Sequence, residues 1–397
     1  MHIAHVSHAR EFRGGDRQML LLIDALRDRG LHQSALVRSP ETAKRLRRLG
    51  HVAVREARSP LSALRALRGV DLCHAHCGRA VQTATLAKLR YGAASVVTRR
   101  IARAPKRGPI TRWMYRRTDG LAAVSTAVAG LLRDYDSALR PRVILDGVSV
   151  DALIAEARPA FNARSALPPH ARDRFLVGHI AALDDADKGQ RMIFDIAARL
   201  LLSKPEIHFV LIGEGSDREA FERETVCLPN VSLVGWQDDI AAWYQALDIV
   251  VAPSRREGLG SAIIEAMGFG LPVVATRTGG IPQIIADRRH GLLVDVDDTQ
   301  ALQDGVERLQ ADAALRARLG DAARQRAGKY TVDQMTADYL ALYAAADKRF
   351  EPWATHLPRA SAPNQKRHKI PAAGKTPSQL SSEMSRNGTS SSLRSTS

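Results

Sequence analysis

Cysteine is scarce in this chain of 397 residues. Cys73, Cys77 and Cys227 are an odd number at spacings that suggest no disulfide framework, which argues against a small cross-linked secreted fold and agrees with a reducing compartment. Long apolar runs are missing as well. No stretch approaches eighteen uninterrupted apolar residues, and the opening MHIAHVSHAR lacks the apolar core of a secretion signal, so the expected location is the cytoplasm. Aromatic residues make up only 5%, and no zinc-finger spacing, helix-turn-helix or aromatic RNA-binding pattern occurs, so nucleic acid is not an expected partner. One segment lacks acid altogether: Arg99, Arg100, Arg103, Lys106, Arg107, Arg112, Arg116 and Arg117 stand with no Asp or Glu among them. Residues 1–150 hold 28 Lys and Arg against 11 Asp and Glu, while residues 151–350 hold 23 against 29, so nearly all of the net +16 belongs to the first half. An anionic membrane surface or lipid-linked acceptor, a nucleic acid, or a merely solvated basic face would each account for the patch, and nucleic acid fits least. Segment 110–117 mixes Ile110, Trp113, Met114 and Tyr115 with arginines, a composition that lies well in a lipid headgroup layer, and the basic run KRLRRLG at 44–50 can join it.

What is present in abundance is alternation of short apolar runs with amphipathic helical patterns, twice over. Strands are expected near 3–6, 34–37, 51–54, 71–75, 95–98, 120–124 and 142–145, then near 175–181, 207–212, 231–234, 248–252, 273–276 and 291–294. Such alternation predicts an α/β protein of two doubly wound parallel-sheet domains. The division expected is 1–150 for the first domain, an Ala-rich linker at 151–174, 175–330 for the second domain, a closing helix at 331–350 and a Ser-rich disordered tail at 351–397. The first helix has Asp16 as its expected cap, Met19, Leu22, Ile23 and Leu26 at helical spacing, and Gly30 at its end.

Chemistry concentrates in the run SRREGLGSAIIEAMGFGLPVVATRTGGIP. Glu257 falls in a loop just before Gly258 and Gly260, and Glu265 falls in a helix among Ala262, Ile263, Ile264, Ala266 and Met267. A carboxylate on a mostly buried helix costs several kcal/mol unless something bonds it. Ligand hydroxyls would do so, and the helix start offers amides to a phosphate. The plain alternative pairs Glu257 and Glu265 with Arg255 and Arg256 on a solvated surface. Two further Gly-rich turns, at 213–215 and 279–280, and the Gly14–Gly15 turn after the first strand fall at strand carboxyl ends, where open parallel sheets bind ligands. The cluster CHAHC at 73–77 invites a metal, yet strand alternation puts His74 and His76 on one face and Cys73 and Cys77 on the other, and no second ligand cluster is evident. A histidine facing a cleft is the better use of His76.

This combination, with DKG at 187–189, GEG at 213–215, Glu257 and Glu265 with seven residues between them, EAMGFGLPVVAT and GGIP, resembles the family 4 glycosyltransferases of GT-B fold. The likeness runs over about residues 1–345 and is strongest over 175–295. It implies a nucleotide-sugar donor held mainly by the second domain, a glycan or lipid-linked acceptor held by the first, a cleft between them, retention of anomeric configuration, and neither metal nor other cofactor. By the same match Lys188 is the cation for the donor diphosphate, Glu257 bonds hydroxyls of the transferred sugar, and Gly15 with the backbone of Gly258, Leu259, Gly260 and Ser261 holds sugar and phosphate. Glu265 grips the ribose, Glu257 and Lys188 are the catalytic pair, residues 234–236 wall the base, and Gly14, His76 or Arg100 contacts sugar or acceptor.

The chain departs from the family in four places. Ala182 stands where an arginine usually precedes the lysine, Arg100 where a histidine is frequent, Asp146 where asparagine is common before Gly147, and Gln283 where glutamate often follows Gly-Gly-Ile-Pro. The expected function is transfer of a sugar to a cell-envelope glycan or glycolipid, such as lipopolysaccharide or capsule, at the inner face of the cytoplasmic membrane. The alternatives are a nucleotide-sugar epimerase or hydrolase of similar form, or a non-catalytic protein that binds a nucleotide sugar or anionic polymer.

Overall fold

Strand alternation resolves into two separate parallel sheets. The computed structural model describes residues 1–57, 60–157 and 161–355. In the first half β1 (His2–Ser7), β2 (His32–Val37), β3 (Ala53–Glu56), β4 (Leu72–Ala75), β5 (Ala94–Arg99), β6 (Gly120–Ala123) and β7 (Arg142–Val143) form a sheet of order β3-β2-β1-β4-β5-β6-β7. In the second half β8 (Phe175–Ile180), β9 (Ile207–Ile212), β10 (Val231–Gly235), β11 (Ile249–Ala252), β12 (Val273–Thr276) and β13 (Leu292–Val294) form one of order β10-β9-β8-β11-β12-β13. Every residue of β4, β5, β6, β9, β11 and β12 is buried, because helices cover both faces of a parallel sheet; such strands read as continuous apolar runs. Strand order reverses between β1 and β4 and between β8 and β11. Ligands of such sheets lie at that reversal, beyond the carboxyl ends, and the loops leaving β1, β4, β8 and β11 carry Gly14 and Gly15, His76, Lys188, and Glu257.

The first helix, Gly14–Ala25, is capped by Arg13 rather than by Asp16. Asp16 is its third residue, and its carboxylate accepts from the Arg13 amide at 3.3 Å and from the Ser7 hydroxyl at 2.6 Å. The helix start is thereby tied to the end of β1. Edge strand β3 lies two residues later than its apolar pattern predicts, since its side chains are mostly exposed and pairing of Ser34 with Ala53 sets its register instead.

The expected linker at 151–174 is more structured than its composition suggests. Ser149 caps a helix at Val150–Glu156, and short turns follow at Ala163–Ala166 and Pro169–Ala171. Arg164 bonds Asp248 at 3.2 Å and the carbonyls of Arg172 and Arg174, both at 2.9 Å, which ties this connector to the second sheet. The closing helix, Val332–Ala346, returns to the first sheet and buries Met335, Tyr339, Leu340 and Tyr343 against Ile3, Leu72, Val96 and Ala122. A tail beginning at 351 is corrected by a short helix, Glu351–Thr355, in which the Trp353 indole donates to the Arg29 carbonyl at 2.7 Å. The rest of the expected tail, from 356, lies outside the described residues. Among those residues no helix is long and apolar enough to cross a membrane.

Candidate functional site

Lys188 ends a single helical turn, Asp185–Lys188, after β8. Gly189 follows at φ +67°, and a Cβ there would fall 2.2 Å from the Pro253 carbonyl oxygen, so only glycine lets this turn lie against the loop after β11. The contact brings Lys188 Nζ to 2.6 Å from Glu257 Oε2, with Ser254 Oγ at 3.3 Å from the same oxygen. Glu257 is held from the other side by the Gly279–Gly280 turn. A Cβ on Gly279 would sit 1.7 Å from the Glu257 carbonyl, which the Gly280 amide bonds at 3.3 Å. The two arginines beside Glu257 do not pair with it: Arg255 bonds Asp185 at 3.0 Å and Asp297 at 2.6 Å, and Arg256 bonds Asp187 at 2.5 Å. The surface-pairing alternative therefore fails for both glutamates.

Glu265 lies in the helix Ser261–Gly268, between buried Ile264 and Ala266, and is itself only 3% exposed. Its carboxylate is bonded on two sides. The Tyr244 hydroxyl donates to Oε2 at 3.0 Å, and Arg17 Nη1 lies 3.1 Å from Oε1 and 3.2 Å from Oε2. Burial, and then the charge of Glu265, push the Tyr244 phenol well above its ordinary value, so it stays a donor. Arg17 comes from the first helix of the other domain. Sequence reasoning missed it; its signal was a cation on the first turn after Gly14–Gly15, two residues before Met19, where the apolar run starts.

The two domains meet at these loops. A side chain on Gly14 would come 3.7 Å from Ser261 Oγ, one on Gly15 would come 3.7 Å from Arg100 Cδ, and a Cβ on Gly258 would fall 1.9 Å from the Arg100 carbonyl. Leu259 is buried, and Gly260, at φ +98°, precedes the first helical residue Ser261. Arg45 also pairs with Asp238 at 2.7 Å, Arg103 with Asp187 at 2.6 Å, and the Thr126 amide and hydroxyl donate to Gln283 Oε1 at 3.0 and 3.1 Å. Gln283, one of the four departures, thus bridges the domains at the start of the helix Thr126–Tyr135.

Two other departures are partners. Arg100 Nε donates to Asp146 Oδ1 at 3.0 Å, their side chains being only 7% and 9% exposed. Arg100 also donates to Tyr339 OH at 3.2 Å and approaches His76 Nδ1 at 3.3 Å. His76 therefore lies buried beneath Arg100, with its second ring nitrogen 3.0 Å from His5 Nδ1, rather than opening onto the cleft. His5 supplies the third imidazole that sequence spacing did not show: ligand atoms of His5, His74 and His76 all lie within 4.8 Å of one another. The donor set is a poor match for a cation. His74 is bonded to Tyr343 and Thr98, both at 2.8 Å, His5 to Gln33 at 3.2 Å, and the Arg100 guanidinium roofs the cluster. Burial holds His5 at about 3 and His74 and His76 well below 6.5, so the three rings are a neutral polar network under Arg100. Cys73 is inert, its thiol pushed up to about 12 by burial.

The segment expected to wall a base ends at Trp236. Trp236 is 45% exposed, not core, and packs edge-on to Phe12 of the first domain, with Arg45 over both rings. The basic patch is smaller than its sequence suggests. Arg99 and Arg100 are buried, Arg103 pairs across the cleft, and Arg112 and Arg116 face Asp136 at 3.7 and 2.6 Å. Around them Lys106, Arg107 and Arg117 are exposed, as are Ile101, Ile110 and Trp113, at 53%, 71% and 42%.

Two doubly wound sheets facing each other in this order define the GT-B fold. The chain has that fold, and residues 174–312 match the model of the family glycosyl transferases group 1. Among curated proteins it is 32% identical over 162 residues to the lipopolysaccharide core biosynthesis glycosyltransferase LpsE of Rhizobium meliloti, covering 40% of this chain and 46% of that one. It is 32% identical over 252 residues to the D-inositol 3-phosphate glycosyltransferase of Xylanimonas cellulosilytica, covering 58% of each. The chain thus spans about half the length of the curated relatives it matches. Among solved structures, Anabaena HepE in complex with UDP-glucose matches with TM-score 0.77 at 19% identity, over 87% of this chain and all of that one. The lipopolysaccharide outer core galactosyltransferase WaaB matches with TM-score 0.63 at 15% identity, over 88% and 100%.

Proposed function

We propose that the chain is a retaining glycosyltransferase of family 4 that moves a sugar from a nucleotide-sugar donor to a cell-envelope glycan or glycolipid. The observation that carries this reading is the pairing of Lys188 with Glu257 at 2.6 Å beside a buried Glu265, at the switch point of the second sheet and against the Gly14–Gly15 turn of the first. Both glutamates belong to one domain and each is matched with a cation, which suits acceptors for donor hydroxyls rather than an acid and a nucleophile flanking a bond. In this reading Glu265 takes the ribose, Glu257 the transferred sugar, and the amides from Gly258 to Ser261 with Lys188 the diphosphate. The acceptor hydroxyl oxygen bonds the anomeric carbon as the carbon–oxygen bond to the diphosphate breaks, and its proton passes to the departing diphosphate on the same face. Lys188 offsets the charge that builds there, and positioning supplies most of the rate. No protein-held metal or cofactor takes part.

For the acceptor, the likeness to LpsE supports a lipopolysaccharide-type glycan. Exposed Ile101, Ile110 and Trp113 among Lys106, Arg107 and Arg117 support peripheral seating of the first domain on an anionic bilayer. The test is release of nucleoside diphosphate from UDP-, GDP- and ADP-sugars with and without truncated lipopolysaccharide. Release that needs the acceptor and is lost in Lys188→Ala and Glu257→Ala supports transfer; equal release without acceptor makes the protein a hydrolase.

A further inference from the structure

Among the described residues, three cations near the site glutamates are each paired with an acid: Lys188 with Glu257 at 2.6 Å, Arg17 with Glu265 at 3.1 Å and Arg100 with Asp146 at 3.0 Å. The pairs are not equivalent. Arg100 and Asp146 belong to one domain, are almost fully buried, and Arg100 is bonded further by Tyr339 and His76, so nothing entering the cleft releases it. Lys188 and Arg17 are 21% and 32% exposed, and each covers a glutamate that, in the reading above, is taken by neutral hydroxyls of the donor.

The arithmetic of the Glu265 carboxylate makes this an exchange. Its two oxygens offer about four acceptor positions. Tyr244, which is buried, takes one, and Nη1 of Arg17, whose side chain is 32% exposed, lies against both oxygens. Two ribose hydroxyls need two positions and fewer than two are left, so they enter by displacing Arg17, the partner that reaches solvent. A displaced guanidinium keeps its charge, because arginine does not deprotonate in proteins. Its nearest new partner is set by the helix itself. Ser261 precedes Glu265 by four residues, about 6 Å toward the helix N-terminus, and Gly14, on the same turn as Arg17, already lies against Ser261. A change of side-chain rotamer therefore carries Arg17 from Glu265 to the amide cradle where the diphosphate is proposed to lie.

We infer that Arg17, contributed by the first domain, is a ligand of the donor diphosphate, stored on Glu265 in the nucleotide-free protein and released when ribose takes Glu265. It supplies the second cation that Ala182 cannot. The donor's neutral hydroxyls thus occupy two glutamates, and the two cations those glutamates held turn to its charged group. Arg17 also makes the first domain sense the donor, since its root lies on the first helix of that domain. This inference rests on the proposed nucleotide-sugar reading, and its test separates the two.

The test is calorimetric titration of the full chain with uridine, adenosine and guanosine and with their 5′-diphosphates, for wild type, Arg17→Gln, Arg17→Lys and Glu265→Ala. The expected result in Arg17→Gln is a loss of roughly 10- to 100-fold in affinity for the diphosphate, the range of a charge-assisted bond. The matching nucleoside binds Arg17→Gln as well as wild type or better, because its competitor for Glu265 is gone. Arg17→Lys falls between, and Glu265→Ala loses nucleoside and diphosphate alike. Equal loss of nucleoside and diphosphate in Arg17→Gln, or no loss of either, overturns the inference while leaving the donor reading intact. A wild-type protein that binds none of the six overturns both.

Discussion

Arg100 and Asp146 give the sharpest energetic test of the cleft, because replacing either one leaves the other's charge buried. Arg100→His installs the residue that related proteins often carry and strands Asp146, whose side chain is 9% exposed. Burial already raises the Asp146 carboxyl, against the opposing pull of Arg100, and without that pull the cheapest escape is protonation. From an ordinary carboxyl near 3.9, protonation at pH 7 costs about 4 kcal/mol, which caps the damage, and the cap falls by about 1.4 kcal/mol for each pH unit below. Asp146→Asn strands the guanidinium instead. Arginine has no such escape, so roughly 3 kcal/mol is lost at every pH, within the range for a broken buried pair. Arg100→His with Asp146→Asn removes both charges and recovers about 2 kcal/mol or more of the summed losses. Urea denaturation of the four proteins at pH 7 and pH 6 reads all of this, as the two pH values give the slope of the Arg100→His penalty. Single-mutant losses that add to within about 0.5 kcal/mol refute the pairing, since that is the behaviour of uncoupled sites.

Three further outcomes follow from the same geometry. Acid should destabilise the protein from about pH 6.5 downward, through the pH 4 to 3 region. His5 is held by burial at about 3 and His179 at about 4, with His74 and His76 also well below 6.5, so the unfolded chain binds protons that the folded chain refuses. At pH 5 His5 and His179 each remove about 2 kcal/mol, and His74 and His76 act in the same direction; thermal denaturation that is flat between pH 7.5 and 5 contradicts it. Gly258→Ala drives a methyl group to 1.9 Å from the Arg100 carbonyl and should separate the domains, seen as a larger radius of gyration by small-angle scattering with little change in helical circular dichroism. Gln283→Glu should be neutral or slightly stabilising in urea, because Gln283 uses its oxygen to accept from Thr126, a carboxylate keeps that acceptor, and it faces a helix N-terminus; a loss above about 1 kcal/mol contradicts this.

The sheets were legible because parallel strands buried on both faces announce themselves as apolar runs; Ile207–Ile212 and Val273–Thr276 match their expected bounds residue for residue. Exposed edge strand β3 carried no such signal. The connector helix Val150–Glu156 was hidden by an Ala-rich composition, although Ser149 offered a cap. In the site, Glu265 was legible as a charge among apolar neighbours, but its partner Arg17 lies 248 residues away, a distance no local pattern spans. Arg100 and Asp146 each stood out as a departure, and only folding shows that they answer each other. His76 looked like a cleft residue because its neighbours come from elsewhere in the sheet, His5 from β1 and Arg100 from the loop just after β5.

In the proposed reading Glu265 holds the ribose of a nucleotide-sugar donor. The direct measurement is a thermal-shift titration of the purified protein with UDP, GDP, ADP and their common sugar conjugates, beside Glu265→Ala. Binding to the folded state raises the apparent stability by about 2.7 kcal/mol at a ligand excess of 100 over the dissociation constant. The expected result is a rise with one nucleotide family that Glu265→Ala abolishes. A rise of equal size in Glu265→Ala, or none with any nucleotide, contradicts it.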